Sequence, residues 1–357
     1  MKRTIWFAVL LAVCLCHCSQ QPQPPEPATP NQVAHDPTRP RVCMAFQEYQ
    51  LGDKGFNDMQ YTAMAKAQVE EGFRLELFTP DNETPSERVL EKCIAADCKI
   101  ILTTEGYSVK EPVERLAAVH PDRRFILMDE KVVEGLPNLT SRYFITAEAA
   151  YLAGIIAADL SQSGVLGIVG GKQENTVLDF VVGFEQGAKA TRPDIVIEKR
   201  WVDAADPTTL PWFNPVTAAN LTQALAEEHR ADIVFAVAGG SNLGVFNKCK
   251  ELGIKAIGCD TDQDHLAKGV ILTSVIKKLD TVLEQTVKQC VNGRFLAGAH
   301  GAGLAQDGVS LSPMRYTYEQ IPAETHAKVA AAKAAIIAGE ISVTSAWRQA
   351  AAKAVDE

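Results

Sequence analysis

The sequence predicts an α/β protein of two lobes, each a mainly parallel sheet flanked by helices. After residue 40, short apolar runs alternate with longer amphipathic segments, a pattern typical of βαβ units. The alternation fills two similar halves, residues 40–140 and 160–260. The roughly 300 residues that follow the N-terminal region are enough for two such domains. A cleft between two lobes is a natural place for a small ligand.

Nine segments are predicted to be strands, because they are short, apolar and followed or preceded by polar and glycine-rich residues. They are residues 42–46, 74–78, 100–103, 125–128, 165–169, 195–201, 233–236, 254–258 and 270–275. Seven segments between them space their apolar residues as helices do. They are residues 85–96, 112–119, 147–160, 177–190, 216–228, 243–252 and 279–289.

Residues 1–18 are predicted to be an export signal outside the fold. A short basic start precedes an apolar stretch at 5–16, which is too short to span a bilayer. Leu15 stands three residues before Cys18, as in a bacterial lipobox, so Cys18 is the expected lipidation site. His17 departs from that motif, where a small residue is usual, and a secretory signal without lipid is the alternative.

Residues 19–40 are predicted to form a flexible tether. They are rich in Pro and Gln and contain few large apolar side chains, so they cannot bury enough surface to fold. A lipidated cysteine followed by such a tether predicts a protein of the cell envelope. It would be anchored to a membrane and would face the periplasm or the cell exterior.

Charge and cysteine content narrow the classes of partner. The formal net charge is −9 at pH 7, whereas a nucleic-acid-binding protein is expected to carry a basic patch. Six cysteines lie beyond the signal region, without paired metal-binding spacing. They are Cys43, Cys93, Cys98, Cys249, Cys259 and Cys290. Most lie in apolar runs, as buried residues do, but Cys93 and Cys98 are close enough in sequence to form a disulfide in an exported protein.

The sequence lacks the common cofactor and catalytic motifs. The dinucleotide, P-loop, nucleophile-elbow and H-E-x-x-H patterns are all absent. Asp260, Asp262 and Asp264 alternate as in a calcium loop. That loop requires glycine at its sixth position and glutamate at its twelfth, where this chain has His265 and Ile271. We therefore expect no cofactor, no metal and no catalytic residue, and predict that the protein is not an enzyme.

Polar side chains and bare backbone follow several predicted strands. They are Asp53 and Asn57 with Phe56 in the first loop, then Asp129, Gly239 and Asp260. In open α/β sheets the ligand crevice lies outside the carboxyl ends of the strands. We therefore expect these residues to converge on one site. Carboxylates and amides would hydrogen-bond a polar ligand there, and Phe56 would stack on a flat one.

Two further features point to the same site. Lys277 follows the predicted strand at 270–275, where its ammonium can donate to a ligand or pair with Asp260. A solvated lysine at the start of a helix is the alternative. Trp212 and Phe213 lie in a proline-rich loop ahead of a helix. They form either a lid over the core or a wall on which an aromatic ligand stacks.

Seven motifs, in order along the chain, resemble those of the substrate-binding lipoproteins of the basic membrane protein family, and within it the purine nucleoside receptor A group. They are Asp53-Lys54-Gly55-Phe56-Asn57-Asp58, Phe125-Ile126-Leu127-Met128-Asp129, Ala147-Glu148-Ala149-Ala150-Tyr151-Leu152-Ala153-Gly154, Gly183-Phe184-Glu185-Gln186-Gly187, Gly258-Cys259-Asp260-Thr261-Asp262-Gln263, Thr273-Ser274-Val275-Ile276-Lys277 and Gly339-Glu340-Ile341. The resemblance covers nearly all of residues 41–343. It implies a type I periplasmic-binding-protein fold, a purine nucleoside as the ligand and ABC permease subunits as partners.

The resemblance also implies roles for residues of the first lobe. Phe56 resembles one of two rings that stack on the purine. Asp53 and Asn57 resemble the polar partners beside it, and Asp129 resembles the carboxylate that reads the edge of the base. Tyr107 is a further candidate contact, in a loop where relatives often carry a more apolar Gly-Phe.

In the second lobe the resemblance implies a second ring and a clamp for the ribose. Phe213 is the favoured second ring, and Trp212 and Phe180 compete with it because the loop aligns poorly. Three positions resemble the ribose clamp. They are Asp260, Lys277 and the backbone of Gly239.

The domain organisation follows from these expectations. The first lobe comprises residues 41–144 plus about 276–302, the second comprises 145–275 plus about 303–320, and 321–357 form a C-terminal helical tail. The hinge is expected near 140–147, 270–277 and 300–315. The protein is expected to act as a monomer that closes around its ligand. The alternatives are an exported nucleoside-processing hydrolase that uses the clustered aspartates, and a ligand-sensing subunit of a membrane receptor.

Overall fold

The computed structural model describes residues 35–47, 51, 56–80, 86–208 and 210–347. The predicted export signal, Cys18, most of the tether and Asp53 lie outside these residues, as does the end of the chain from 348 to 357. Across the described part of the chain, no helix combines the length and the apolar character that crossing a membrane requires.

Twelve strands lie within the described residues. They are β1 (Arg41–Ala45), β2 (Arg74–Phe78), β3 (Ile100–Thr103), β4 (Arg124–Met128), β5 (Leu139–Phe144), β6 (Val165–Gly170), β7 (Val196–Trp201), β8 (Ile233–Val237), β9 (Lys255–Asp260), β10 (Ile271–Lys277), β11 (Gly298–Ala302) and β12 (Val309–Leu311). Ten α-helices accompany them. They are α1 (Phe56–Glu71), α2 (Ser86–Ala95), α3 (Lys110–Val119), α4 (Thr146–Leu160), α5 (Asn175–Thr191), α6 (Val202–Ala205), α7 (Pro215–His229), α8 (Asn242–Leu252), α9 (Leu279–Val291) and α10 (Ala323–Ile337).

The strands form two six-stranded sheets. The first has the order β11-β5-β4-β3-β1-β2 and is parallel throughout. The second has the order β12-β10-β9-β8-β6-β7 and is parallel except for the edge strand β12. We call the elements around these sheets the first and second lobes. The predicted fold class, two lobes that are each a mainly parallel sheet flanked by helices, is confirmed.

Continuous apolar runs explain why most strands were predictable. All five residues of β8 and all four of β3 are buried, because helices cover both faces of a parallel sheet. The sequence missed β5, β11 and β12, which contain polar residues or glycines in place of such a run.

The chain passes between the sheets three times. It leaves the first sheet after β5, returns after β10, and leaves again between β11 and β12. The crossing segments are joined by backbone hydrogen bonds. The N–H of Ile145 donates to the carbonyl of Ala302 (3.1 Å), and that of Lys278 to the carbonyl of Gly308 (2.9 Å). Any movement of one lobe against the other must therefore bend these segments together.

Helices α4 and α5 pack with almost no space between their backbones. A Cβ atom on Gly187 would lie 1.9 Å from the carbonyl oxygen of Tyr151, and one on Gly183 would lie 2.1 Å from that of Ala147. Only glycine permits this approach. Both glycines of the Gly183–Gly187 motif therefore serve the packing of the second lobe.

Helix α10 ends at Ile337, and the C-terminal segment then returns to the first crossing. Asp179 of α5 is fully buried and accepts hydrogen bonds from both segments. From the crossing, the Thr146 hydroxyl (3.0 Å) and the Ala147 N–H (2.8 Å) donate to it. From the C-terminal segment, the Ser345 hydroxyl (2.6 Å) and the Ala346 N–H (2.8 Å) donate to it. One carboxylate thus joins the first crossing to the end of the chain.

The considered disulfide between Cys93 and Cys98 is wrong. Cys98 is bonded to Cys43, 55 residues away, and Cys93 is a free, buried thiol. Parallel pairing of β1 with β3 brings Cys43 next to the residues that precede β3. Spacing along the sequence carries no information about this contact, because the strands meet only in the folded sheet.

Candidate functional site

A cavity of about 550 Å³ lies between the two lobes. Its walls are formed at the carboxyl ends of strands from both sheets and by the start of α1. This is where ligands bind in open α/β folds. Most of the lining surface is apolar, although about half of the lining residues are polar or charged. That composition is typical of a small-molecule site.

The floor of the cavity is a buried charge cluster. The Nζ atom of Lys277 lies 2.7 Å from Oδ2 of Asp129 and 3.2 Å from Oδ1 of Asp260. The side chains of Lys277 and Asp129 are each 5% exposed, and that of Asp260 is 20% exposed. Asp129 ends β4 of the first lobe, whereas Lys277 and Asp260 belong to the second. The ammonium therefore joins the two lobes at the base of the cleft.

Both aspartates occupy a backbone conformation that is unusual for an L-amino acid. The φ angles are 56° at Asp129 and 66° at Asp260. Aspartate tolerates this left-handed region better than most residues, though at some cost. Each turns the chain at the end of its strand, so that both carboxylates reach the same lysine. Such local strain clusters at functional sites.

Burial and charge act in opposite directions on the pKa values of Asp129 and Lys277. Burial raises the pKa of Asp129, and the Lys277 ammonium opposes that shift. Burial would lower the pKa of Lys277, but the carboxylates of Asp129 and Asp260 overcome it and raise that pKa above its usual value. Each raised pKa favours protonation of its own group, so Asp129 and Lys277 compete for one proton. We assign it to Lys277 because two carboxylates face the ammonium.

Aromatic rings surround the ammonium. The centres of the Phe56 and Phe180 rings lie 5.4 and 5.3 Å from Lys277 Nζ, within the range of cation–π attraction. Phe180 is 1% exposed and packs edge-on against Phe235 in the core. Phe213 lines the rim of the cavity and is 47% exposed.

The other predicted residues near the rim divide between packing and lining roles. Trp212 lines the cavity, but its ring also covers Gly171, on which a Cβ atom would lie 2.2 Å from the ring. Gly239 lines the cavity with a φ angle of 57°. Asn57 is buried at the start of α1 and also contributes to the lining.

Tyr107 and Lys172 form a second contact between the lobes. Tyr107 follows β3 of the first lobe and lines the cavity, and Lys172 follows β6 of the second lobe. Lys172 Nζ lies 4.9 Å from the centre of the tyrosine ring and 3.5 Å from its hydroxyl oxygen. The cleft is thus bridged both at its floor and beside its wall.

The structure brings together all of the predicted ligand-site residues that it describes, since each lines this one cavity. Other lining residues were not among the predicted ligand contacts. They include Thr104, Glu105, Glu174, Asn242, Leu243, Gln263, His265 and Leu266. Glu105 follows β3 and Glu174 follows β6, so the rule that ligands bind at strand ends would have found both.

Metal-binding groups are sparse in the described part of the chain. There, the single group of three potential ligands comprises Cys43, Glu76 and Cys98. Its two cysteines form the disulfide, and it lies apart from the residues that line the cavity.

Comparisons with known proteins agree with this geometry. Residues 41–346 match the model of the Bmp family, described as ABC transporter substrate-binding protein PnrA-like. The chain is 28% identical over 258 residues to a protein of Lactococcus lactis named ABC transporter nucleoside-binding protein BmpA, covering 67% of this chain and 70% of that protein. It is 26% identical over 283 residues to an uncharacterised lipoprotein of Pyrococcus abyssi, covering 75% of this chain and 68% of the relative.

A solved structure supports the fold independently. The crystal structure of an ABC transporter solute-binding protein from Aeropyrum pernix superimposes with a TM-score of 0.76 at 24% identity, covering 85% of this chain and 93% of that one. The family match extends over most of the chain and includes every described residue of the cavity. The chain therefore belongs to the Bmp family of PnrA-like ABC transporter solute-binding proteins.

Proposed function

We propose that this solute-binding protein captures a purine nucleoside in the cavity between its lobes and presents it to an ABC permease. The observation that carries the proposal is the cluster of Asp129, Lys277 and Asp260 beneath aromatic rings from both lobes. A nucleoside combines a flat aromatic base with a hydroxylated sugar. Ring faces suit the base, while carboxylates and an ammonium suit hydroxyl groups that both donate and accept hydrogen bonds.

The charge cluster divides naturally between base and sugar. Lys277 engages Oδ2 of Asp129, and we assign Oδ1 to an N–H group on the edge of the base. Asp260 and Lys277, with the backbone of Gly239, are assigned to the ribose hydroxyls. Asp53, which lies outside the described residues, and Asn57 are assigned to the rim of the base site.

The two stacking rings are assigned to Phe56 and Phe213. Phe56 is partly buried at the first-lobe wall, and Phe213 presents 47% of its surface at the second-lobe rim. Phe180 offers almost no free face, because it is only 1% exposed although it lines the cavity. The name of the Lactococcus lactis relative, a nucleoside-binding protein, supports the same class of ligand.

The proposed mechanism is closure without covalent chemistry. The lobes rotate about the three crossing segments, bury the nucleoside, and form the surface that the permease recognises. Binding and presentation require no nucleophile, so the protein is proposed not to be an enzyme. We further propose that it is a monomer anchored through Cys18 outside the cytoplasm, in keeping with the names of lipoprotein relatives.

Calorimetry against a panel of nucleosides, free bases and sugars tests the proposal. Saturable binding of a purine nucleoside with one site per chain is the expected result. Binding of sugars or peptides in the absence of nucleoside binding contradicts the ligand assignment. Incubation with inosine is the companion measurement, because steady release of hypoxanthine would show a hydrolase rather than a binding protein.

A further inference from the structure

The cavity wall carries an apolar surface that the assigned nucleoside contacts do not use. Pro215, Leu243 and Leu266, all from the second lobe, line the cavity. Leu243 is 46% exposed and Leu266 is 42% exposed. We call these three residues the apolar shelf. All three are exposed although they line the cavity.

Local packing holds the shelf together on the second lobe. The start of α8 approaches Pro215 so closely that a Cβ atom on Gly244 would lie 1.8 Å from the proline carbonyl oxygen. Leu243 is the residue before that glycine. Leu266 lies in a 3-10 turn, Asp264–Ala267, that packs against α8. The shelf is therefore a fixed surface formed by three adjacent segments.

The first lobe does not cover the shelf, although the lobes already touch. Lys277 contacts Asp129 across the floor of the cleft, and Lys172 contacts Tyr107 beside its wall. With both contacts made, Leu243 and Leu266 still present almost half of their surface. The first lobe therefore does not supply the group that contacts the shelf. The nucleoside proposed to bind in the same cavity is the candidate to do so.

We place the shelf at the sugar end of that proposed site, because two of its residues lie on the same segments as residues assigned to the ribose. Leu243 follows Gly239 by four residues along the chain, and Leu266 follows Asp260 by six. Gly239 and Asp260 are the residues assigned to the ribose, whereas the base-reading carboxylate belongs to the other lobe. The cavity of about 550 Å³ also exceeds the roughly 300 Å³ that an unmodified nucleoside fills at the packing density of protein interiors.

We propose that the shelf is a subsite for an apolar group on the 5′ carbon of a purine nucleoside, so that 5′-alkylthio nucleosides are preferred over those with a free 5′ hydroxyl. The inference rests on the proposed function. An apolar group at this position leaves water for a hydrocarbon surface. A 5′ hydroxyl placed there would lose hydrogen bonds to water and gain none from the three shelf side chains.

The test compares affinities within matched ligand pairs. Adenosine, inosine, their 5′-deoxy-5′-propylthio derivatives and N6-propyladenosine are titrated into the full-length protein by calorimetry. The 5′-propylthio compound is expected to bind about tenfold more tightly than its parent. In the Leu243→Ser, Leu266→Ser double variant this ratio is expected to fall to about two. Val216→Ser is the matched control, since Val216 is also exposed and apolar but does not line the cavity.

Several outcomes overturn the subsite. Parents that bind as tightly as their 5′ derivatives overturn it while leaving the proposed function intact. Tighter binding of N6-propyladenosine than of the 5′-propylthio derivative of adenosine also overturns the subsite alone. So does an affinity ratio between 5′ derivative and parent that stays near tenfold in the double variant, provided that its melting temperature is unchanged. Failure of every one of these nucleosides to bind overturns both the subsite and the proposed function.

Discussion

Lys277 Nζ lies 2.7 Å from Asp129 Oδ2, and the two residues belong to different lobes. A buried ion pair contributes little net stability, but removing one partner is costly because the other charge remains buried. Here removal of the lysine would leave Asp129 and Asp260 facing each other. The cluster is therefore expected to matter both for closing the cleft and for the fold around it.

Lys277→Met is expected to lower stability by about 3–5 kcal/mol and to weaken nucleoside binding at least tenfold, because the carboxylates lose their common partner. Chemical denaturation and calorimetry measure the two effects. Lys278→Met is the matched control, since the neighbouring lysine pairs with the exposed Asp307 and such pairs contribute little. Equal effects of the two substitutions would contradict a role for the buried cluster.

The same variant gives a prediction about pH. The pKa of Lys277 is raised in the folded protein, so its contribution is fully present below the unfolded value of about 10.4. It is lost as pH rises through the higher folded value. The difference in unfolding free energy between wild type and Lys277→Met is therefore expected to be constant from pH 6 to 9 and to shrink above about 10.4. A difference that shrinks already below pH 9 would count against the charged lysine.

The three phenylalanines of the cavity are expected to respond differently to truncation. Phe56→Ala and Phe213→Ala each remove a proposed stacking face, and each should weaken nucleoside binding at least tenfold with little unfolding. Phe180→Ala removes a fully buried ring, so it should cost about 3–5 kcal/mol of stability. Calorimetry combined with thermal unfolding separates the cases. If Phe213→Ala binds the nucleoside with unchanged affinity, the second stacking ring must instead be Trp212 or Phe180.

Local sequence patterns were sufficient for part of this site. Asp129 and Asp260 each follow an uninterrupted apolar run, and such runs are typical of strands buried on both faces. Once these runs are recognised as strands of parallel sheets, their carboxyl ends must lie along one edge of each sheet. The convergence of both aspartates with Lys277 could therefore be predicted from the order of elements.

Other features depend on partners that only folding supplies. Strand β5 contains Arg142, which is buried because Thr140 and Thr286 accept its hydrogen bonds at 2.8 and 3.0 Å. Because Thr286 is 144 residues away, nothing near Arg142 in the sequence indicates that it is buried. The segment therefore lacks an apolar pattern, and β5 was not predicted. The pairing of Cys43 with Cys98 was missed for the same reason. A pattern that records only neighbours along the chain cannot identify these partners.

The contact between Lys172 and Tyr107 is expected to slow the escape of ligand. Since it joins the lobes beside the cavity, Lys172→Met should raise the dissociation rate of a nucleoside about two- to fivefold, the equivalent of 0.5–1 kcal/mol. Stopped-flow displacement measures the rate. Lys268→Met is the matched control, because Lys268 lies 5.0 Å from the Tyr316 ring away from the cavity lining. A similar acceleration in both variants would rule out the bridging role.

Asp179 is expected to stabilise the first crossing segment against local opening. It accepts hydrogen bonds from Thr146 and Ala147 at that crossing and from Ser345 and Ala346 near the C-terminus. Asp179→Asn keeps the size of the side chain but places an N–H₂ group against donors, which should destabilise the protein by about 2–4 kcal/mol. Ser345→Ala removes one of the four donors and should cost about 1–2 kcal/mol. Hydrogen exchange should then show faster opening at residues 144–147 in both variants, whereas faster exchange confined to the C-terminal segment would mean that Asp179 anchors the chain end without supporting the crossing.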